Sequence, residues 1–143
     1  MAEELNLEKV IQDVAEGKTI GAASGIPETE LDAMFEEATN MYSAENYAEA
    51  EDVFKALSIL RHTDPRCWMG LAACRQARAE YTEAVDAYGM AAYMSGMDDL
   101  RPFLYGAKCH IALGDAESAE SALELVLELE VPDTAANSKC RNE

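Results

Sequence analysis

The residues of this chain that could do acid–base chemistry are few. His62 stands two positions before Asp64, and Glu36 directly precedes Glu37. Adjacent residues on a helix point about 100° apart, so the two glutamates would not converge on one substrate. The motifs Gly-x-x-x-x-Gly-Lys-Ser/Thr, Gly-x-Ser-x-Gly and His-Glu-x-x-His are all absent from the sequence. The sequence therefore predicts no enzyme, no nucleotide hydrolysis and no cofactor, and we expect His62 to satisfy a turn or a neighbouring repeat.

Residues that bind soft metals are present, but their pattern favours packing. Met90, Met94 and Met97 recur at i, i+4 and i+7, which would place three thioethers on one helix face. Such a stripe could bind a soft metal ion. Flexible apolar packing between helices is the ordinary role of this spacing, so we predict no metal site.

The four cysteines show neither a Cys-x-x-Cys pair nor a histidine at zinc-finger distance. Cys67 and Cys74 lie seven positions apart, on one face of a helix, as small core side chains do. We predict free, buried thiols at Cys67, Cys74 and Cys109. Cys140 lies in a polar stretch, where we expect it to be exposed.

Charge and length limit the possible partners. The chain has 143 residues, enough for one domain, with a formal net charge of −17. This field repels nucleic acid and anionic lipid, so we expect neither nucleic-acid binding nor stable membrane association. The acidity could serve solubility alone, or it could keep a complex with an apolar partner soluble. Met1–Glu4 is acidic where a secretory signal is basic, which predicts a cytoplasmic protein.

The elements that must position any site follow from an internal repeat. Tyr47-Ala48-Glu49-Ala50 returns 34 positions later as Tyr81-Thr82-Glu83-Ala84, and Phe54 and Tyr88 keep the same offset. This period is that of the tetratricopeptide helical hairpin. The first hairpin is predicted over 31–64, with helices at 28–44 and 47–61, and the second over 65–98. The sequence thus predicts an all-α fold of three such hairpins in a short curved solenoid.

The third hairpin requires a one-residue insertion, which we place in the turn 95–99. Gly114-Asp115 then falls at its bend, with glycine as a C-cap and aspartate as the next N-cap. Ala119 takes the position of Ala50 and Ala84, where a small side chain lets two helices approach closely. Leu123 is predicted to fill the gap beside it, as Phe54 and Tyr88 do in the earlier hairpins.

An amphipathic helix precedes the repeats. We divide the chain into an N-terminal helix and a loose linker at 1–26, the three-repeat domain at 28–132, and a flexible tail at 133–143. The helix ends near Gly17, and its apolar residues follow the spacing i, i+3, i+4, i+7. These residues are Leu7, Val10, Ile11 and Val14.

The first helices of stacked hairpins line the concave side of a solenoid, where a ligand would bind. The positions predicted to face this groove are largely apolar or aromatic, which indicates an apolar peptide site. They are Phe35, Thr39, Tyr42, Tyr47, Met69, Ala73, Gln76, Leu104, Lys108 and Ile111. The alternative is that some of these residues are core, or are covered by the N-terminal segment.

Repeat domains that clamp an acidic C-terminus place several cationic and amide side chains along this face. Here the first repeat offers an aromatic residue and a threonine. Only Arg66, Arg101 and Lys108 supply positive charge further along the chain. A carboxylate clamp of that kind is therefore not predicted.

A continuous run identifies a resemblance. Residues 53–62 and 64–66 lead into 68–77, which contains the motif Gly-Leu-x-Ala-Cys-Arg-Gln-Ala. The run resembles the class II chaperones of type III secretion systems, which hold translocator proteins in the bacterial cytoplasm. The similarity extends over about residues 14–130.

The resemblance implies a non-enzymatic chaperone that binds an extended, apolar N-terminal segment of translocator proteins in its concave groove. The bound translocators would stay soluble and apart before secretion. The aromatic positions credited with binding correspond to Phe35, Tyr42 and Tyr47, while Thr39 occupies a site that is often aromatic. The resemblance also implies a homodimer made through the N-terminal helix and first repeat. The rival hypothesis is a generic tetratricopeptide scaffold that joins other proteins.

Overall fold

The structure is a computed structural model that describes residues 6–130. Within that range the chain forms eight α-helices and no strand. They are α1 (Leu7–Ala15), α2 (Ile20–Ala23), α3 (Glu28–Ser43), α4 (Tyr47–Leu60), α5 (Pro65–Ala77), α6 (Tyr81–Met94), α7 (Arg101–Ala112) and α8 (Ala116–Glu130).

Helices α3 to α8 form three antiparallel hairpins, each packed against the next. The predicted all-α fold of three hairpins behind an N-terminal helix is therefore confirmed. The bends of the hairpins carry residues with positive φ at the same place in each repeat. These are Glu45 (φ 64°), Ala79 (φ 60°) and Gly114 (φ 79°). Their spacing of 34 and then 35 residues confirms the one-residue shift of the third hairpin.

The extra length lies where it was predicted, in the connection between α6 and α7. That connection runs over 95–100, whereas the corresponding one between α4 and α5 runs over 61–64. Two predicted helix caps are confirmed as well. The Asp64 carboxylate accepts a hydrogen bond from the Arg66 backbone N–H at 3.0 Å, ahead of Pro65, and Asp115 accepts one from Ser118 at 3.1 Å.

The core lies between the paired helices. Ala50 and Ala84 are fully buried and Ala119 nearly so, which confirms the close approach of the two helices of each hairpin. Phe54 and Tyr88 are each 3% exposed, but Leu123 is 40% exposed. The prediction that Leu123 fills an equivalent gap is wrong, because no further hairpin in the described part of the chain covers α8.

Two polar contacts lie at the end of the first hairpin that adjoins α5. The Arg61 guanidinium is almost fully buried and pairs with Glu28 and with Asp32, the latter at 2.7 Å. The Trp68 indole N–H donates to the backbone carbonyl oxygen of His62 at 2.8 Å, so this backbone group is bonded to the second hairpin. Since Arg61 ends α4 and the two acids open α3, the ion pair fixes this end of the first hairpin.

The segment before the hairpins is more ordered than a linker. Residues 20–23 form α2, which packs against α4, and α1 packs against α2. A Cβ atom on the buried Gly21 would lie 2.9 Å from the Leu60 carbonyl oxygen. The absence of a side chain therefore allows α2 to lie directly on the end of α4. The predicted tail at 133–143 lies outside the described residues.

The thiols of Cys67, Cys74 and Cys109 are free and buried, as predicted, and Cys140 lies outside the described range. Burial raises the pKa of Cys67 and of Cys74 to about 12. These side chains are therefore uncharged core groups at neutral pH.

Candidate peptide-binding groove

Two adjoining hollows open on the side of the molecule formed by α3, α5 and α7. The first, here called the aromatic hollow, has a volume of about 350 Å³. The second, here called the lysine hollow, has a volume of about 490 Å³. Tyr42, Met69 and Ala73 line both, so the two hollows form one continuous groove.

The floor of the aromatic hollow depends on a missing side chain. Gly70 lies in the middle of α5, and a Cβ atom there would stand 2.4 Å from the Phe54 ring. The ring of Phe54 thus rests on the α5 backbone, and Phe35 meets it edge-on with ring centroids 5.7 Å apart. An aromatic residue from the second helix of the hairpin therefore reaches the groove between two first helices.

The rim of the aromatic hollow carries two arginines. The Arg66 guanidinium lies 5.0 Å from the centre of the Phe35 ring, within range of a cation–π interaction. Arg66 also forms a salt bridge with Asp64, with an N–O distance of 2.8 Å. Arg101 forms the equivalent salt bridge with Asp99 at 2.7 Å. Hydrogen bonding from Arg101 holds the pKa of Asp99 below its ordinary value.

The lysine hollow is more polar. The Tyr88 hydroxyl donates to the side-chain oxygen of Gln76 at 2.5 Å. Lys108 places its ammonium 5.5 Å from the centre of the Tyr105 ring. Burial raises the pKa of Tyr88 and of Tyr42, so both hydroxyls keep their protons at physiological pH.

The structure brings most of the predicted groove residues together. Those that line the aromatic hollow are Phe35, Thr39, Tyr42, Met69 and Ala73, and those added by the lysine hollow are Gln76 and Lys108. Tyr47 lines neither hollow but packs edge-on against Tyr42, with ring centroids 5.3 Å apart.

Leu104 and Ile111 line neither hollow. Leu104 borders a separate depression with Met97 and Leu129, and Ile111 is 63% exposed. On α7 the residues that reach the groove are instead Arg101, Tyr105 and Lys108. The third hairpin has no further hairpin beside it in the described range, so its outer positions lack a second wall.

Sequence reasoning missed the contributions of Phe54, Gly70 and Tyr105. Phe54 was assigned to the core alone, although the structure also exposes part of its ring to the aromatic hollow. Gly70 gave one usable signal, because a glycine inside a helical pattern indicates close approach of another group. Tyr105 could have been found by continuing the i, i+4, i+7 spacing from Arg101.

The described part of the N-terminal segment does not cover the groove. Among residues 6–26 none lines either hollow. Phe35 is half-buried against the core cluster, so it serves both packing and the groove surface. Tyr42 is 37% exposed and lines both hollows.

The N-terminal stripe is divided between contact and exposure. Leu7 and Ile11 are 64% and 61% exposed, while Val10 and Val14 are half-buried. Helix α1 packs against α2. The outer pair of the stripe is therefore available to another surface.

Residues 6–130 offer neither a cluster of metal ligands nor a membrane-spanning helix. That range holds no group of three or more His, Cys, Asp or Glu side chains arranged to bind a metal ion. None of its helices combines the length and the apolar character needed to span a membrane.

The tetratricopeptide repeat family model matches residues 38–64 and 67–95. These two ranges cover parts of the first and second hairpins and the bends within them. Together with the three stacked hairpins and the concave groove, the match defines the chain as a tetratricopeptide-repeat protein.

Relatives narrow the class. The low calcium response locus protein H of Yersinia pestis is 37% identical over 113 residues, which are 79% of this chain and 67% of that protein. The structure of SycD, the type III secretion translocator chaperone of Yersinia enterocolitica, matches with a TM-score of 0.74 and 33% identity over 87% of this chain and 91% of SycD. The chain belongs to this family, the type III secretion translocator chaperones.

Further structures show SycD with partners. SycD in complex with a peptide of the translocator YopD matches with a TM-score of 0.69 and 32% identity, over 82% of this chain and 88% of that one. SycD in an alternative dimer matches with the same TM-score and identity, over 82% and 87% of the two chains. The known partners of SycD are thus a translocator peptide and a second copy of itself.

Proposed function

We propose that this chain is a cytoplasmic chaperone that holds an extended apolar segment of a type III translocator in the groove formed by its two hollows. It does so without catalysis, metal or nucleotide, and it keeps the translocator soluble and apart from its partners before secretion. The observation that carries the proposal is the continuous groove over Phe35, Tyr42 and Met69. The complex of the related SycD with a YopD peptide supports it.

The shape and chemistry of the groove suit an extended peptide. Alternate side chains of an extended chain point to the same side, about 6–7 Å apart, so two anchors can enter adjoining hollows. Burying one Leu, Ile or Met side chain contributes about 1.5–3 kcal/mol. Several anchors are needed, because association and ordering of the peptide oppose binding. Apolar side chains in the groove would no longer be available for aggregation.

The acidic surface has a role in the same function. The charge of the described residues lies mainly outside the two hollows, since Asp99 is the one acid among them that lines either hollow. Like charges on separate complexes repel one another and oppose association. The chaperone therefore adds solubility to an apolar client as well as covering part of it.

We also propose that the chain forms a homodimer through α1. The exposed side chains of Leu7 and Ile11 provide an apolar strip next to the half-buried Val10 and Val14. Substituting glutamate for both Leu7 and Ile11, the exposed pair, should shift sedimentation toward the monomer. An unchanged sedimentation coefficient would place the interface elsewhere.

The function is tested by co-expressing the chain with the translocators encoded beside it. We expect at least one translocator to become soluble and to co-purify with the chain. If the translocators stay insoluble and none co-purifies, the chaperone proposal is wrong.

A matched pair of variants tests the groove. Tyr42→Ala removes an aromatic ring shared by both hollows, whereas Tyr93→Ala removes one that is 68% exposed and lines neither. We expect the first to weaken client binding about tenfold or more and the second to leave it unchanged. Both should melt close to wild type. If the two variants bind the client with equal affinity, the client does not bind in this groove.

A further inference from the structure

The groove has the opposite charge character to the rest of the protein. The chain carries 28 acidic and 11 basic residues, yet among residues 6–130 three basic residues and one acidic residue line the two hollows. Arg66 and Arg101 are each bonded to a neighbouring aspartate. Lys108 is different, because none of the carboxylates in the described part of the chain lies within 4.0 Å of its ammonium.

The polar groups of the lysine hollow are hydrogen-bond donors. The side-chain oxygen of Gln76 already accepts from Tyr88, which leaves the Gln76 amide N–H groups to donate. Tyr42 and Tyr105 add hydroxyl groups, and Lys108 adds its ammonium. None of the carboxylates in the described part of the chain lines this hollow. A ligand group that accepts hydrogen bonds and carries negative charge complements this set of donors.

We propose that the lysine hollow receives the carboxylate of an Asp or Glu side chain of the client segment, next to an apolar anchor held in the aromatic hollow. This inference rests on the proposed function and names the chemistry of the client. One cation and an amide accept a single acidic side chain, which differs from a clamp of several cations around a chain terminus. The wall of the groove on α5 shifts from residues 65–73 in the aromatic hollow to 69–77 in the lysine hollow. That shift is about one helical turn, roughly 6 Å, or about two residues of an extended peptide.

An acidic requirement would explain how an acidic chaperone selects its client. Most of its surface repels acidic peptides, so an acid is tolerated only where the groove supplies positive charge. A segment with the acid in the correct register gains a charge-assisted hydrogen bond there. A segment of the same apolar character but with the acid elsewhere meets the repelling surface. The register of the bound segment is thereby fixed.

The test uses labelled 15-residue peptides that tile the N-terminal regions of the translocators encoded beside the chain. Anisotropy titrations with the wild-type protein identify the tightest peptide, and each Asp or Glu in that peptide is then changed to Gln. We expect one such change, about two residues from an apolar anchor, to weaken binding roughly five- to tenfold. A tight peptide that contains no acid, or one in which no Gln change matters, would overturn the inference.

Protein variants complete the cycle. Lys108→Gln should weaken the same peptide by the same factor, and the combined protein and peptide changes should cost little more than either alone. Lys108→Glu should bind the Glu→Lys version of the peptide better than the original. Lys55→Glu is the matched control, since this exposed lysine also lacks a carboxylate partner among the described residues and lines neither hollow. It should change binding of the original peptide less than twofold.

The outcomes separate the two proposals. If no tiled peptide binds the wild-type protein, the proposed function fails and the inference fails with it. If a peptide binds, and its affinity falls with Tyr42→Ala but not with Lys108→Gln, the proposed function stands. The inference that the lysine hollow receives an acidic side chain is then refuted. Additive effects of the protein and peptide changes would likewise place the acid away from Lys108.

Discussion

The contact between Gly70 and the Phe54 ring makes a sharp prediction about stability. Gly70→Ala places a Cβ atom 2.4 to 2.6 Å from three ring atoms of Phe54, far inside van der Waals contact. The ring is 3% exposed and is held edge-on by Phe35, so it has little room to move. Overpacking of this kind costs about 1–3 kcal/mol. Alanine also favours a helix over glycine by about 1 kcal/mol, which offsets part of that cost.

Gly89→Ala is the matched control. Gly89 also lies inside a helix, but a Cβ atom there would meet no heavy atom within 4 Å. Both substitutions gain the same helix propensity, so the difference between them isolates the overlap with Phe54. We expect Gly70→Ala to be less stable than Gly89→Ala by about 1–3 kcal/mol, or roughly 3–12 °C in Tm. Gly89→Ala itself should be more stable than wild type.

Urea unfolding followed by circular dichroism measures the difference directly. A second readout is the affinity for the client peptide, because a Phe54 ring displaced from α5 would enter the aromatic hollow. Gly70→Ala should therefore bind more weakly than Gly89→Ala at a temperature where both are folded. Equal stability and equal affinity of the two variants would refute the contact, and with it the described floor of the groove.

Four other predictions concern buried positions. Gly21→Ala should displace α2 from the Leu60 carbonyl and lower the free energy of unfolding by about 1–2 kcal/mol. Hydrogen exchange in α2 should then be faster than in the wild type, and unchanged exchange would contradict the packing of α2 on α4. Ala84→Leu should lower the free energy of unfolding, measured in urea, by about 1–3 kcal/mol, because Ala84 has no exposed surface and a larger side chain would overpack the hairpin. An unchanged free energy would mean that the paired helices lie further apart than described. Cys67 and Cys74, each with a pKa raised to about 12, should react with a thiol reagent at pH 8 about 1000-fold more slowly than in the urea-unfolded chain, because their thiolate fraction is smaller by about that factor. Mass spectrometry of each site measures the two rates. Because their pKa values are higher in the folded state, stability should fall as pH rises above about 8.5, where the unfolded thiols ionise; a flat stability between pH 8 and 10 would contradict this.

The architecture could be predicted because the repeat constrains many positions at once. A shared offset of 34 residues places Ala50 and Ala84 at the same helix crossing, and the caps at Asp64 and Asp115 mark helix starts. The groove residues of the first two repeats follow from helical periodicity applied to those helices. Their binding role rests on the proposal and its tests.

The features that were missed depend on contacts rather than on period. A glycine inside a helix does not say which ring lies against it, so the sequence could not pair Gly70 with Phe54. The Gly-rich segment around Gly21 is typical of a linker, and its packing on α4 depends on the shape of that helix end. The third hairpin has the predicted register, but Leu104 and Leu123 are exposed, because their burial would require a further hairpin beside α7 and α8.

The unequal surroundings of the three hairpins have a consequence for cooperativity. In a linear array the stability of each unit is the sum of its own term and the coupling to each adjacent unit. The hairpin α5–α6 is coupled on both sides, whereas α7–α8, with Leu123, Leu127 and Leu129 exposed, is coupled on one side within the described residues. Opening should therefore begin at α8 and spare α5. A peptide bound across α5 and α7 would add its own coupling between the second and third units, so an occupied chaperone would unfold as a longer cooperative block than an empty one.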